Sequence, residues 1–173
     1  SETETMAYTA GSNNGVYFVP AFTGLAAPYW DSYARGTLIG ITGGTTREQI
    51  VRATLESTAY QVYDVLHAME KDSGIVFPAM RCDGGAVVNN FLMQFQADIL
   101  NIPVLIPEIT EATALGSAFM ASIGAGFVSS TEELQSHWKL ACSFEPKMSN
   151  DERMHLLSQW HRAVERARNW SED

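Results

Sequence analysis

The 173-residue sequence contains only two cysteines, Cys82 and Cys142, and neither has a second cysteine or a histidine at a zinc-ligand spacing. The sequence therefore favours neither a zinc site nor a disulfide framework, and we expect both thiols to be reduced. Cys82 is interpreted as an apolar filler at the end of a strand, since small buried cysteines are common. The histidines also form no metal-binding spacing, so we predict no metal ligands and expect solvated helix faces for His67, His137, His155 and His161.

Basic residues are scarce as well. The chain has 11 Lys and Arg against 20 Asp and Glu, and its formal net charge is −9. This charge disfavours non-specific binding to nucleic acid or to an anionic membrane, so neither is an expected partner. No hydrophobic run reaches the length of a transmembrane helix, and residues 1–5 lack the basic start and apolar run of a signal peptide. We expect a globular protein located in the cytoplasm.

The first half of the chain predicts two strands and one long helix. Residues 1–14 are polar and turn-rich, and are predicted to form a loop or N-terminal arm ahead of a domain that covers 15–173. Short apolar runs predict strands at 16–19 and 38–41. A long helix should follow a capping box at 45–48, with apolar residues three and four apart at Leu55, Ala59, Val62, Leu66 and Met69, and should end at Ser73 and Gly74.

The second half predicts a strand-turn-helix unit and further alternation of strands and helices. The predicted elements are a strand around Met80 and Cys82, a helix at 90–100, a strand at 103–107, a helix at 113–123, a short helix after a second capping box at 130–133, and a final helix capped by Ser149 or Asn150 with Leu157, Trp160, Val164 and Ala167 on one face. This alternation favours an α/β domain with helices packed on a mixed sheet.

Between the third strand and its helix lie Asp83, Gly84, Gly85 and Ala86, which we call the glycine turn. The backbone N–H groups of such a turn can face an anion, and the two glycines allow a ligand to approach closely. An Asp-Gly-Gly sequence is also an ordinary turn. The turn alone therefore leaves a nucleotide site and a purely structural role both open.

Longer motifs make the sequence similar to one known family. The motifs lie at 20–36, 54–57, 81–96 and 113–118, and they resemble the glycerol kinases of the FGGY carbohydrate kinases over roughly residues 15–170. Pentulose kinases usually carry a different sequence in place of Thr23 to Trp30, so this aromatic loop is similar to the glycerol branch. The chain departs from the family pattern at Ala26, Ser32 and Gly43, where Gly, Pro and Arg are usual. We interpret the aromatic loop as architectural rather than as a carbohydrate platform.

The resemblance covers only the C-terminal half of that two-lobed enzyme and implies a ribonuclease-H-like, actin-type ATPase fold. In the family, the matching turn holds ATP, so Gly84 and Gly85 are implied nucleotide contacts, with Asn89 at the adenine. Glu56 and Gly40 match a second family pattern, and a supporting role is favoured for both. The family's catalytic Asp and glycerol-binding residues belong to the preceding half, so no residue of this chain is assigned as catalytic.

The resemblance implies a complete enzyme that transfers the γ-phosphate of Mg²⁺-bound ATP to glycerol, giving glycerol 3-phosphate, and that forms a homo-oligomer. This chain alone is expected to be inactive, because glycerol would bind through the lobe that it lacks. Two alternatives stay open. One is the equivalent lobe of a related pentulose or erythritol kinase, and the other is a non-catalytic nucleotide-binding or interaction module.

Overall fold

The computed structural model describes residues 1–128, 130 and 139–172. The elements follow in the order α1 (Glu2–Thr9), β1 (Tyr17–Val19), β2 (Thr37–Ile39), α2 (Arg47–Ser73), β3 (Met80–Arg81), a 3-10 helix (Gly85–Val88), α3 (Asn90–Leu100), β4 (Val104–Pro107), α4 (Ala112–Gly124), β5 (Leu140–Phe144) and α5 (Asn150–Ala167). Within the described ranges, no helix is long and apolar enough to cross a membrane.

The strands form two small sheets. β1 and β2 pair antiparallel, with Tyr17 opposite Ile39. The second sheet has the order β3-β4-β5 and is mixed, because β3 runs parallel to β4 whereas β5 runs antiparallel to it. The mixed sheet was predicted, but β5 was not. Its only sequence signal is the alternation of Leu140, Cys142 and Phe144 with small residues.

The N-cap of the long helix α2 lies one residue later than predicted. Thr46 is the N-cap: its side chain accepts from the Gln49 N–H at 3.4 Å, and the Gln49 side chain accepts from the Thr46 N–H at 3.0 Å. The box assigned to Thr45 and Glu48 is therefore wrong, because the Thr45 hydroxyl instead accepts the Thr42 N–H at 2.9 Å. The predicted end is confirmed, since Gly74 adopts a left-handed conformation with φ of 70°.

The main core lies between α1, α2, α3, α5 and β1. Its centre is Tyr60 of α2, whose ring stacks on Trp160 at 5.2 Å and meets Phe95 edge-on at 5.5 Å. Ser149 caps α5 by accepting the Glu152 N–H at 3.2 Å. The predicted apolar face of α5 is confirmed, because its four residues are all buried: Leu157, Trp160, Val164 and Ala167.

The prediction that residues 1–14 form a loop is wrong. Residues 2–9 form α1, which begins with a capping box between Ser1 and Glu4. Ala7 is fully buried in the main core, and Tyr8 packs edge-on against Phe91 with ring centroids 5.5 Å apart. Only one α1 residue is buried, so the apolar periodicity that identifies a packed helix was absent from this segment.

A second, smaller cluster joins α3 to the mixed sheet. It contains Val87, Leu92, Met93, Ala97, Val104 and Ile106, with the half-buried Cys82 packed against it. The interpretation of Cys82 as an apolar filler is confirmed, and burial raises the pKa of its thiol. The capping box predicted at 130–133 and the helix after it fall on residues 131–138, which lie outside the described residues together with His137.

Candidate nucleotide-binding site

The glycine turn lies where two parallel strands end. β3 and β4 run parallel, so their carboxyl ends meet at one edge of the sheet, which is where ligands bind in open α/β sheets. The Gly84 N–H donates to the carbonyl oxygen of Thr110 at 2.8 Å and so ties the turn to the loop after β4. A cavity of about 220 Å³ is present here, and its lining includes Arg81, Asp83, Glu108, Leu115 and Lys139.

The backbone of the turn is open to a ligand. Gly84 has a φ of 82°, a conformation that L side chains rarely adopt, whereas Gly85 has no such strain. A Cβ atom built on either glycine would meet nothing within 4 Å. Within the described part of the chain, no hydrogen bond is found for the N–H groups of Gly85 and Ala86. The turn therefore presents two free donors and unfilled space in front of them.

Asn89 has a structural role that the sequence did not reveal. It is the N-cap of α3, and its Oδ1 accepts the Leu92 N–H at 3.1 Å. Its own N–H donates to the Ala86 carbonyl at 3.1 Å, and the residue is only 6% exposed. Asn89 thus links the glycine turn to α3, and most of its hydrogen-bonding capacity is already used within the chain.

The helix α1 contacts Asn89 and Asn90, the residues that follow the glycine turn and begin α3. Glu4 Oε1 accepts the Asn90 N–H at 3.0 Å, and the Asn89 side-chain amide lies 3.5 Å from the Thr3 hydroxyl. The chain's N-terminal ammonium group, and then Asn90, hold the pKa of Glu4 below its usual range. These contacts join residues that are far apart in the sequence. Sequence patterns therefore gave no indication of them.

The two residues of the second family pattern support the fold. Glu56 is buried and accepts hydrogen bonds from Arg52 Nε at 2.6 Å and from Asn13 Nδ2 at 2.7 Å. Burial raises the pKa of Glu56, and these two hydrogen bonds oppose the rise. At Gly40 a side chain would collide with the Gly15 carbonyl. The predicted supporting roles of Glu56 and Gly40 are both confirmed.

The aromatic loop divides into a packed and an exposed part. The Tyr29 hydroxyl donates to Asp64 Oδ2 at 2.8 Å, and burial, followed by the Asp64 charge, raises the pKa of Tyr29. Leu25 and Asp31 exchange two backbone hydrogen bonds across the loop, at 2.7 and 2.9 Å. Trp30, by contrast, is 78% exposed. The contacts of Tyr29, Leu25 and Asp31 agree with the architectural interpretation.

Among residues 1–128, 130 and 139–172, no group of three or more His, Cys, Asp or Glu side chains could hold a metal ion. One histidine nevertheless departs from the expected solvated setting. The ring of His161 is half-exposed, and its Nε2 lies 2.9 Å from Oδ1 of the buried Asp64. The sequence missed this pair because Asp64 belongs to α2 and His161 to α5.

Comparisons with known proteins agree with this architecture. The sequence profile of the "FGGY family of carbohydrate kinases, C-terminal domain" matches residues 2–125. The chain is 58% identical, over 98% of its length, to glycerol kinase 2 of Thermotoga maritima, and 56% identical, over 100% of its length, to the glycerol kinase of Petrotoga mobilis. It spans only 34% and 35% of the length of these two curated relatives.

Solved structures give the same result. The crystal structure of Plasmodium falciparum glycerol kinase with ADP matches with a TM-score of 0.84 and 36% identity, over 96% of this chain and 33% of that one. A ligand-bound xylulose kinase from Lactobacillus acidophilus matches with a TM-score of 0.76 and 23% identity, over 95% of this chain and 33% of that one, which supports the fold alone. The predicted ribonuclease-H-like, actin-type fold is confirmed by these likenesses.

Proposed function

The chain belongs to the FGGY family of carbohydrate kinases, and from this premise we propose that it is the nucleotide-binding lobe of a glycerol kinase. The observation that carries the proposal is the glycine turn, which presents free N–H groups and open space at the carboxyl ends of β3 and β4. The relatives named glycerol kinase match the chain over nearly its whole length. The lobe includes 15–173 and also α1, because α1 packs in the same core.

In the proposed complex, the free N–H groups of Gly85 and Ala86 donate to phosphate oxygens of ATP or ADP. Gly84 and Gly85 leave room for this approach because neither has a side chain. Asn89 faces the adenine. Glu4 supports the placement of the adenine, rather than the phosphates, next to Asn89. The Glu4 carboxylate lies against the Asn90 N–H and would repel a phosphate there.

The lobe supplies only one wall of the active site. Because the chain spans 34% of its Thermotoga relative, the catalytic base and the glycerol site are proposed to belong to the part of the enzyme outside it. Phosphoryl transfer depends mainly on positioning and on charge stabilisation, so both walls must close around ATP before the γ-phosphate can reach glycerol. Homo-oligomeric assembly and a cytoplasmic location are proposed for that complete enzyme.

In the proposed complex, Mg²⁺ is bound through the nucleotide. The described residues contain no cluster of protein ligands for a metal ion. Mg²⁺ commonly keeps several waters and binds substrate phosphates with one or two carboxylates. We therefore place Mg²⁺ with ATP and assign it no ligand in this chain.

The related pentulose or erythritol kinase lobe, and the non-catalytic module, are the competing functions. The likeness to xylulose kinases supports the fold and does not distinguish substrates. Identities of 54–58% to glycerol kinases favour the glycerol branch. A substrate screen on the complete enzyme tests this choice: preferential phosphorylation of a pentulose or of erythritol would contradict it, and so would the absence of any kinase activity.

The nucleotide site itself is tested by titrating the isotope-labelled chain with ADP and following its amide resonances by NMR. We expect shifts around residues 83–90 and a dissociation constant in the millimolar range, because half a cleft loses several kcal/mol of contacts and each ~1.4 kcal/mol costs about tenfold in affinity. Micromolar affinity, or shifts confined to residues remote from the turn, would contradict the proposal.

The substitution Gly85→Val sharpens this test. Nothing in the chain lies within 4 Å of a Cβ at Gly85, so the variant should fold normally while its side chain fills the space for the ligand. We expect affinity for ADP to fall at least about tenfold, the effect of losing ~1.4 kcal/mol. Gly43→Val is the matched control, because Gly43 is equally unhindered but lies outside the turn. An equal loss of affinity in both variants would exclude a specific role for Gly85.

A further inference from the structure

The helix α1 meets the glycine turn through hydrogen bonds to the start of α3. The first N–H groups of a helix have no partner within the helix itself. In α3, Asn89 Oδ1 accepts the Leu92 N–H and Glu4 Oε1 accepts the Asn90 N–H, at 3.1 and 3.0 Å. Glu4 thus completes the cap of α3 from a different element. Its carboxylate also carries the negative charge that a helix N-terminus favours.

Hydrogen bonds from Arg52 hold α1 on α2. Arg52 Nη1 donates to the carbonyl oxygens of Ala7 and Gly11, at 3.3 and 2.6 Å, and so binds the C-terminal end of α1 and the residues just after it. The same guanidinium is fixed by its 2.6 Å contact with the buried Glu56 and lies 4.9 Å from the centre of the Phe91 ring. A continuous set of contacts therefore runs from the core of α2, through α1, to the Asn89–Asn90 peptide.

We infer that α1 is a positioning element of the nucleotide site and that Glu4 is the residue through which it holds Asn89 and Asn90 in place. The inference rests on the proposed function, since it assumes that the glycine turn binds a nucleotide. Glu4 does not touch the nucleotide in this arrangement. It occupies the Asn90 N–H, so the donors left for phosphate are those of Gly85 and Ala86, and it fixes the peptide that sets the direction of the Asn89 side chain.

Three variants of the chain, titrated with ADP and followed by NMR, test the inference. Glu4→Ala removes the acceptor and should weaken ADP binding about fivefold, an effect of the size of one typical intramolecular hydrogen bond. Glu4→Gln keeps an acceptor oxygen and a capping-box residue, so its affinity should stay within twofold of the wild type. Glu2→Ala is the control, since Glu2 lies in the same turn of α1 but is 76% exposed and pairs with the exposed Arg47.

A readout from the unliganded wild-type chain is independent of these variants. The Asn90 amide resonance should move as Glu4 is titrated, at a pH below the usual range of a glutamate, and the Asn90 N–H should exchange slowly with solvent. If the Asn90 amide responds in this way but Glu4→Ala binds ADP as tightly as the wild type, the positioning role is overturned. Absence of the Asn90 response, or unfolding of Glu4→Ala together with weak binding by Glu4→Gln, would also overturn it. No ADP binding by the wild type would instead overturn the proposed function on which it rests.

Discussion

Asp64 of α2 contacts both α5 and the aromatic loop through its side-chain carboxylate. It is buried and lies 2.7 Å from Trp160 Nε1, 2.8 Å from the Tyr29 hydroxyl and 2.9 Å from His161 Nε2. Trp160 is itself fully buried. A buried donor without an acceptor costs the full desolvation penalty of that group. The three contacts therefore hold α2, α5 and the aromatic loop together.

We expect Asp64→Ala to lower the free energy of unfolding by about 3 kcal/mol, because the indole N–H and the Tyr29 hydroxyl would lose their acceptor inside the protein. Urea unfolding followed by tryptophan fluorescence measures this change. Asp72→Ala is the control: it removes the same charge from an exposed position of α2 and should change stability by less than about 0.5 kcal/mol. Equal effects of the two substitutions would exclude the proposed role of the Asp64 contacts.

At the scale of single residues, the sequence could locate the glycine turn but not the residues that support it. Gly84 and Gly85 follow a recognisable strand, and the turn lies where it was predicted. Asn89 was noted only for its family match, although its side chain also caps α3. Glu4 was missed because its partner Asn90 lies 86 positions away, and no local pattern encodes a contact over that distance.

At the scale of elements, periodicity identified the helices that bury one face. α2, α3 and α5 were predicted within a few residues, α2 and α5 from capping residues and apolar spacing and α3 from its helix-forming residues. α1 and β5 were missed for a different reason. α1 buries one residue, and the residues of β5 are mostly exposed, so neither segment carries a clear apolar pattern.

α4 has an apolar sequence but buries none of its residues. Its 13 residues include no charged side chain, yet none of them is buried. Met120 is 64% exposed, and Phe127, just beyond the helix, is 85% exposed. Contiguous exposed apolar surface of this kind is uncommon in soluble monomers. The larger residues Leu115, Phe119 and Ile123 of α4 are only partly buried.

We therefore expect the chain to bind an environment-sensitive hydrophobic dye in its folded state. Met120→Lys should reduce the dye fluorescence while changing the free energy of unfolding by no more than about 0.5 kcal/mol, as is usual for a surface substitution. Met154→Lys is the matched control, because Met154 is 50% exposed but belongs to the amphipathic helix α5. A fall in fluorescence of the same size in both variants would show that the dye does not report on α4.

At the scale of the whole molecule, the fold class was predictable and the arrangement of its parts was not. Alternating strands and helices indicated an α/β domain, and the mixed order β3-β4-β5 agrees with that expectation. The prediction failed where elements distant in sequence meet, as at Asp64 with His161 or at α1 with α3. Long-range hydrogen bonds between polar side chains leave no periodic trace in a sequence, so a structure was needed to reveal them.

The 173-residue chain alone should not phosphorylate glycerol, because it spans 34% of its Thermotoga relative and supplies one wall of the proposed cleft. Holding two reactants in the right geometry can supply some 7–11 kcal/mol of a reaction barrier, and a single wall cannot hold both ATP and glycerol. A coupled assay for ADP release with Mg²⁺, ATP and glycerol checks this expectation, with the complete enzyme as the positive control. Turnover near the typical enzyme rate of about 10 per second, if it stayed with the chain through purification, would mean that the chain carries catalytic groups of its own.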